Sequence, residues 1–388
     1  MNPKPLIFPF ILVLLLSSCT GNAATQKFRI ATFNVAMGLE TEGELSIRLA
    51  AGDDAALAKV AEILQRVRPD VVLLNEFDYS PGSADLLRKN YLEKSQSGLE
   101  IISYQAAFMA AVNTGVKSGL DFNNNGRTDD PEDAWGFGKF PGQYGMLVLS
   151  RFPIDRSNMR SFRHFQWADM PGALQPVKEN GKSYYPQEIW RKIRLSSKNH
   201  WDLPLEIEGS VIHFLVSHPT PTVFDGPEDR NGRRNHDEIR IWSDYISAES
   251  SAYLVDDAGQ SGGIEPGAAF VIAGDLNADP ADGDWMVNSI SQLLHNDEIN
   301  ASCVPNSTGG TETSISQAGI NLKHQGDPAT DTADFNDEFA GNLRVDYVLP
   351  SNGLKILGCG VYWPAAGETG HELVKVSDHR LVWLDISY

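Results

Sequence analysis

Seven strand-length apolar runs, set between turn-rich stretches, constrain this chain more than any other feature. They are Phe28–Val35, Val71–Phe77, Met146–Ser150, Val211–His218, Phe270–Asn277, Val345–Pro350 and Leu381–Ser387. Residues 54–68 place Leu57, Val60, Ile63, Leu64 and Val67 on one helical face, and Pro69 ends that pattern. A second helix is expected over Asn235–Tyr253, with Ile239, Trp242 and Ile246 in register. Strands mixed with helices predict a layered α/β (α+β) fold. Long polar insertions sit at about 78–141, 155–190, 220–236 and 303–342, where function or disorder is usual. No Gly/Ser- or Pro-rich linker divides the chain, so residues 28–388 are expected to form a single elaborated domain.

The apolar runs end on polar residues of a particular kind. Asn34 and Glu76 close the first two, His218 follows Phe214–Ser217, and Asp275 and Asn277 end the fifth. Asp346 lies within Arg344–Val348, and Ser377-Asp378-His379 precedes the last run. One such residue is ordinarily a cap or turn former. Repeated at many strand ends, they line a common rim on which carboxylates, amides and imidazoles converge. Oxygen ligands from Asn, Glu and Asp suit hard divalent ions, and a carboxylate beside an imidazole orients it and raises its basicity.

The ordered series Thr32-Phe33-Asn34, Leu74-Asn75-Glu76, Gly145-Met146-Leu147-Val148-Leu149-Ser150-Arg151, Ser217-His218, Gly274-Asp275-Leu276-Asn277, Arg344-Val345-Asp346-Tyr347 and Ser377-Asp378-His379 resembles the endonuclease/exonuclease/phosphatase family. The resemblance implies a four-layer α/β/β/α sandwich with two packed mixed β-sheets, and a phosphoesterase dependent on Mg²⁺ or Mn²⁺. It implies Asn34, Glu76 and Asp378 on the metal side. Asp275 and Asn277 would position the attacking water, His379 oriented by Asp346 would act as base or electrostatic partner, and His218 would contact phosphate. Gln143 and Tyr144 sit one position out of register with the family's tyrosine pattern, so Tyr144 is not carried over.

Asp121-Phe122-Asn123-Asn124-Asn125-Gly126-Arg127-Thr128-Asp129-Asp130-Pro131-Glu132 fits the calcium-loop pattern D-x-[DN]-x-[DN]-G-x₅-E. Oxygens from Asp121, Asn123, Asn125, Asp129 and Glu132, with the Arg127 carbonyl, could wrap one structural Ca²⁺. The alternative is an ion-free Asn/Asp turn.

At the N-terminus, Lys4, the apolar run Leu6–Leu16 and Leu16-Ser17-Ser18-Cys19 describe an export signal too short to span a bilayer. Residues 1–18 read as a lipoprotein signal peptide and 19–27 as a tether. Cys19 is the lipidated residue, which would anchor an exported protein at the bacterial cell envelope, at the outer membrane by the pattern of Thr20. The alternative is an ordinary signal cut near Ala23-Ala24. After export, Cys303 and Cys359 are the remaining thiols and are a possible disulfide.

A formal net charge of −19 disfavours non-specific nucleic-acid binding. Arg230, Arg233 and Arg234 follow His218 closely and are candidate substrate-binding residues. The alternative is that they pair with Asp229, Asp237 and Glu238. Three functions fit: a surface phosphatase or phosphodiesterase on small organic phosphates, phytate-like among them; an extracellular nuclease; or a catalytically silent binding lipoprotein. The missing stripe of interleaved aromatic and basic residues favours the first, acting as a monomer.

Overall fold

The computed structural model describes Met1, residues 27–283 and residues 289–387. The signal sequence and Cys19 lie outside the described residues. Thirteen strands are present among them: β1 (Lys27–Met37), β2 (Val71–Phe77), β3 (Ala106–Phe108), β4 (Met146–Ser150), β5 (Arg160–Ser161), β6 (His200–Ile207), β7 (Ser210–Ser217), β8 (Phe270–Asp275), β9 (Ala333–Asp334), β10 (Asn342–Leu343), β11 (Asp346–Pro350), β12 (Lys355–Val361) and β13 (Val382–Ser387). A six-stranded sheet runs β12-β13-β1-β2-β4-β3, a five-stranded sheet runs β11-β8-β7-β6-β5, and β9 and β10 form a ribbon. Both large sheets are mixed, because β1 pairs parallel with β2 and β7 parallel with β8, while their other pairings are antiparallel.

Strand alternation explains the layering. Ile30, Leu73 and Val148 of one sheet meet Leu203, Phe214 and Val271 of the other in a shared core. The opposite faces are buried as well. Phe33, Leu74 and Leu147 pack on Leu57, Val60 and Leu64 of the helix Ala55–Val67. Leu215 and Ile272 pack on Ile239, Trp242 and Tyr245 of the helix Arg230–Tyr245. Sheets covered on both sides read as near-continuous apolar runs, which is why the strands are conspicuous in the sequence. The result is the expected four-layer sandwich.

Local signals set the first long helix. Asp54 caps it by accepting from Ala56 N and Leu57 N, and Arg68, at φ 55°, ends it. The second helix departs from expectation, beginning at Arg230 and ending at Tyr245, with a separate 3₁₀ turn at Ser251–Tyr253. Its first turns are polar because they address loops rather than core. β6 and β12 carry no clean apolar run and are visible only in the fold. Cys303 and Cys359 are joined in a disulfide, with Cα atoms 6.2 Å apart. Among the described residues no helix is long and apolar enough to cross a membrane.

Candidate active site

The centre of the site follows from one strand register. Asp275 at the end of β8 lies directly opposite Asp346 at the start of antiparallel β11. Opposed residues project to the same face, so two carboxylates are forced together. His379, placed just before β13, relieves the repulsion. Its Nδ1 lies 2.9 Å from Asp346 Oδ2 and its Nε2 lies 3.6 Å from Asp275 Oδ2. Thr332 Oγ1 donates to the same Asp346 oxygen at 2.9 Å, and Phe335 meets the imidazole edge-on at 5.3 Å. Both come from the 303–342 insertion, which is tied down where Ala333 bridges to His379.

Asp275 Oδ2 is a point of convergence. Asn34 Nδ2 donates to it at 3.0 Å, and His218 Nε2 stands 3.3 Å away. Asn277 N donates to Oδ1 at 3.0 Å. Burial alone would raise this carboxyl, but His379, then His218 and Asn34, hold it below the ordinary carboxylate range. Burial works against charge on His379 too, yet Asp346 and Asp275 outweigh it and keep the imidazolium. His218 goes the other way. Burial, then the nearby Lys198 ammonium, lower its pKa and favour the neutral ring. One imidazolium, one neutral imidazole and one amide aimed at Asp275 Oδ2 hold that carboxylate charged and fixed, and a phosphoryl oxygen brought beside it would meet the same donors.

Backbone and packing hold this arrangement. Asn75 Oδ1 accepts from Asp275 N and from Thr32 Oγ1, each at 3.2 Å, and so stitches the two sheets together beneath the site. Gly274 is required, since a Cβ there would stand 2.1 Å from Ser217 O on the neighbouring strand. Glu76 and Asn277 both adopt left-handed backbone, at φ 54° and 51°, a cost that functional positions often carry. The helix Arg230–Tyr245 pins the loops after β7 and β8. Glu238 accepts from Ser197 N and Thr220 N, each at 2.6 Å, while Asn235 Nδ2 donates to Thr220 O and Leu276 O.

Whether these residues suit a divalent ion can be judged from their atoms. Asp275, Asp346 and His379 offer ligand atoms within 4.8 Å of one another, and Asp346 Oδ1 is buried without a hydrogen bond. A charged His379 that faces a carboxylate from each nitrogen is nevertheless a poor cation ligand. Glu76 is the better donor: it faces an open cleft, and no hydrogen bond among the described residues engages its carboxylate. Asn34 Oδ1 accepts once, from Ala36 N at 3.1 Å, and keeps a free lone pair. Hard oxygen donors of this kind fit Mg²⁺ or Mn²⁺. Asp378, the third residue expected on the metal side, is exposed, with its Oδ1 3.5 Å from the Ser377 hydroxyl. Along the extended segment Ser377 and His379 turn inward, Ser377 Oγ donating to Asn34 O at 2.7 Å, so alternation turns Asp378 out to solvent.

The cleft beside Glu76 encloses about 530 Å³. Arg230 and Arg234 line it, but Arg233 does not, being held by Asp229 at 3.9 Å across one helical turn. Arg234 serves the fold rather than a ligand, donating to the carbonyls of Leu195, Trp135 and Arg194. Arg230 pairs with Glu228 and donates to Phe224 O at 3.2 Å. Tyr144, set aside for its register, and Lys198, which is not among the expected site residues, both line the cleft. Lys198 was one basic residue among several, and only tertiary burial distinguishes it. The motif beside Tyr144 was visible, but its ring seats against Gly38, where a Cβ would meet it at 2.2 Å.

In the 121–132 loop, Asp121 accepts from Asn125 N and Gly126 N, Asn123 from Asn125 N, and Asn125 from Arg127 N. Arg127 pairs with Asp129 and Asp130, and Glu132 faces the cleft.

The model of the Endonuclease/Exonuclease/phosphatase family matches residues 31–379. Among solved structures, the chain is similar to an endonuclease/exonuclease/phosphatase from Beutenbergia cavernae (16% identity, TM-score 0.50, 93% of this chain and 71% of that one). It is also similar to sphingomyelinase C from Streptomyces griseocarneus (15%, 0.48, 93% and 99%) and to a beta toxin from Staphylococcus aureus solved with magnesium ions (14%, 0.45, 92% and 99%). At these identities the likeness is one of fold. A comparison with curated protein sequences finds no match.

Proposed function

Since the chain belongs to the endonuclease/exonuclease/phosphatase family and is a metal-dependent phosphoester hydrolase, we propose that its substrates are small organic phosphates. The observation that carries this reading is the convergence of Asn34, His218 and His379 on Asp275 beside the cleft that Glu76 lines. A cleft of that size suits a small ligand rather than a duplex. In this reading Asp275 and Asn277 orient the attacking water, while His218 donates to a phosphoryl oxygen and the Asp346-held His379 neutralises its charge. Glu76 and Asn34 would hold the ion, which when bound supplies Lewis-acid polarisation of the phosphoryl group. The test is hydrolysis of glycerol phosphate, bis-p-nitrophenyl phosphate, plasmid DNA and RNA in Mg²⁺, Mn²⁺ or chelator. Cleavage of the nucleic acids alone overturns the small-phosphate reading.

Export and lipidation at Cys19 are proposed on the signal-like N-terminus and supported by a disulfide suited to an oxidising compartment. Cys19→Ala should release the protein from membrane fractions, and wild-type protein carrying no lipid would refute it. A structural Ca²⁺ in the 121–132 loop is proposed on the motif. Chelation should lower the melting temperature of wild type and leave Asp121→Ala unaffected. Equal melting of wild type with and without Ca²⁺ sinks the idea.

A further inference from the structure

The walls of the cleft say more about the substrate than its catalytic edge does. Three cationic side chains line it, and two are committed elsewhere, Arg230 to Glu228 and Phe224 O, and Arg234 to backbone carbonyls. Lys198 is different. It is buried, and among the described residues its Nζ has only a long contact, 3.5 Å, to Pro219 O. Pro219 O, which follows His218 in the chain, also accepts from Asn277 Nδ2 at 3.1 Å, and Glu76 lines the same cleft, so Lys198 stands at the phosphoryl end. Burial works against its charge, while Glu238, Glu76 and Asp275 favour it. Glu132 adds negative charge to the walls. One loosely held ammonium matches one phosphoryl group, and a polyphosphorylated ligand would have to bury further anions against aromatic rings and a carboxylate.

The remaining wall is aromatic. Phe122, Trp167 and Tyr185 are buried behind it. Phe137 and Phe224, by contrast, stand 50% and 86% exposed while lining the same cleft. Large apolar side chains left in water at the mouth of a pocket mark a place where a partner covers them. Phe224 also holds φ 68°, which bulky L-residues rarely adopt, so the 220–234 loop presents this ring at a conformational cost. Phe137 stacks on Tyr144 at 6.5 Å and 25°, extending a flat face from the rim inward toward Glu76.

We infer that the cleft takes a phosphoester with a single phosphoryl group and a flat aromatic group, with Phe137 and Phe224 as specificity-determining residues and Lys198 as a phosphoryl anchor. This rests on the phosphoesterase reading and narrows its substrate class away from polyphosphorylated polyols.

The test is calorimetric binding, in Mg²⁺, of phenylphosphonate, methylphosphonate and myo-inositol hexakisphosphate to the full chain, so that turnover is not the readout. Phenylphosphonate should bind roughly 10-fold more tightly than methylphosphonate, the scale expected for aromatic stacking. The Phe137→Ala/Phe224→Ala double variant, altering exposed side chains that the fold does not need, should bring the two within about 3-fold. Lys198→Met should weaken both phosphonates alike. Equal binding of the two phosphonates by wild type, an unchanged preference in the double variant, or tightest binding of the hexakisphosphate overturns the inference. The two readings fail separately. A protein that shows the preference but hydrolyses no phosphoester refutes the proposed function alone, whereas one that hydrolyses glycerol phosphate without the preference refutes this inference alone.

Discussion

His379 works because it lies between two carboxylates that the β8–β11 register compels to face one another. Remove it, and Asp275 and Asp346 are left as opposed buried acids, with Asp346 already pushed upward by burial. Phosphoryl transfer draws mainly on positioning and charge stabilisation, so losing a member of this group should be expensive. His379→Ala and Asp275→Ala should each lower kcat roughly 10²-fold or more, on the order of 3 kcal/mol. The double variant should fall by less than the product, since both act on one phosphoryl group. Steady-state kinetics on variants shown to be folded by circular dichroism check this. A folded double variant with near wild-type turnover would place the active site elsewhere. His218, tuned neutral beside the cationic His379, was legible as a site residue from its strand-end position. Its protonation was not, because that depends first on burial and then on Lys198, which is not its neighbour in sequence.

The helix Arg230–Tyr245 is the element that converts a stable sheet into a positioned site. Glu238 and Asn235, on its buried side, hold the loops that carry His218 and Asn277, and Trp242 Nε1 donates to Ser217 Oγ at 2.9 Å. Glu238→Gln keeps the shape but turns one acceptor into a donor facing Ser197 N or Thr220 N. A buried mismatch of that kind costs about 1–3 kcal/mol. The expected outcome is a lower melting temperature together with a reduced kcat at nearly unchanged KM, measured by thermal melts and kinetics. Wild-type values of both would mean the helix merely covers the sheet. Ile239, Trp242 and Ile246 announce a helix here but not its start at Arg230, since its polar opening turns contact loops and leave no apolar period.

Across the whole molecule, the two sheets share one core, and the Cys303–Cys359 link ties the loop at 301–307 to β12, closing 56 positions of chain. Closing a loop that long restricts the unfolded chain by about 4 kcal/mol in the entropy model, with measured effects commonly about 2–4 kcal/mol. Cys303→Ser/Cys359→Ser should therefore melt earlier and unfold at lower denaturant, yet keep wild-type kcat where it is folded, because neither sulfur touches the site. Unchanged denaturant midpoints under oxidising conditions would show that the link adds nothing.

The sequence by itself determined the seven strands that read as apolar runs, the layered class and the roster of strand-end residues around Asp275. These are local properties, set by which apolar runs must be covered on both faces and where each run stops. Tertiary structure alone decided which of the candidates face inward. Asp378 turns to solvent because Ser377 and His379 take the inward positions on either side of it. Arg234 became a scaffold residue because its guanidinium reaches carbonyls as distant in sequence as that of Trp135. Lys198 became prominent because it is buried and lines the cleft together with Glu76. The cleft was wholly invisible beforehand, since its walls come from insertions around 114–144, 185–198 and 220–234 that only folding brings together. Periodicity reports whether a side chain is covered. It does not report what covers it, and that choice of partner is where the chemistry of this site is made.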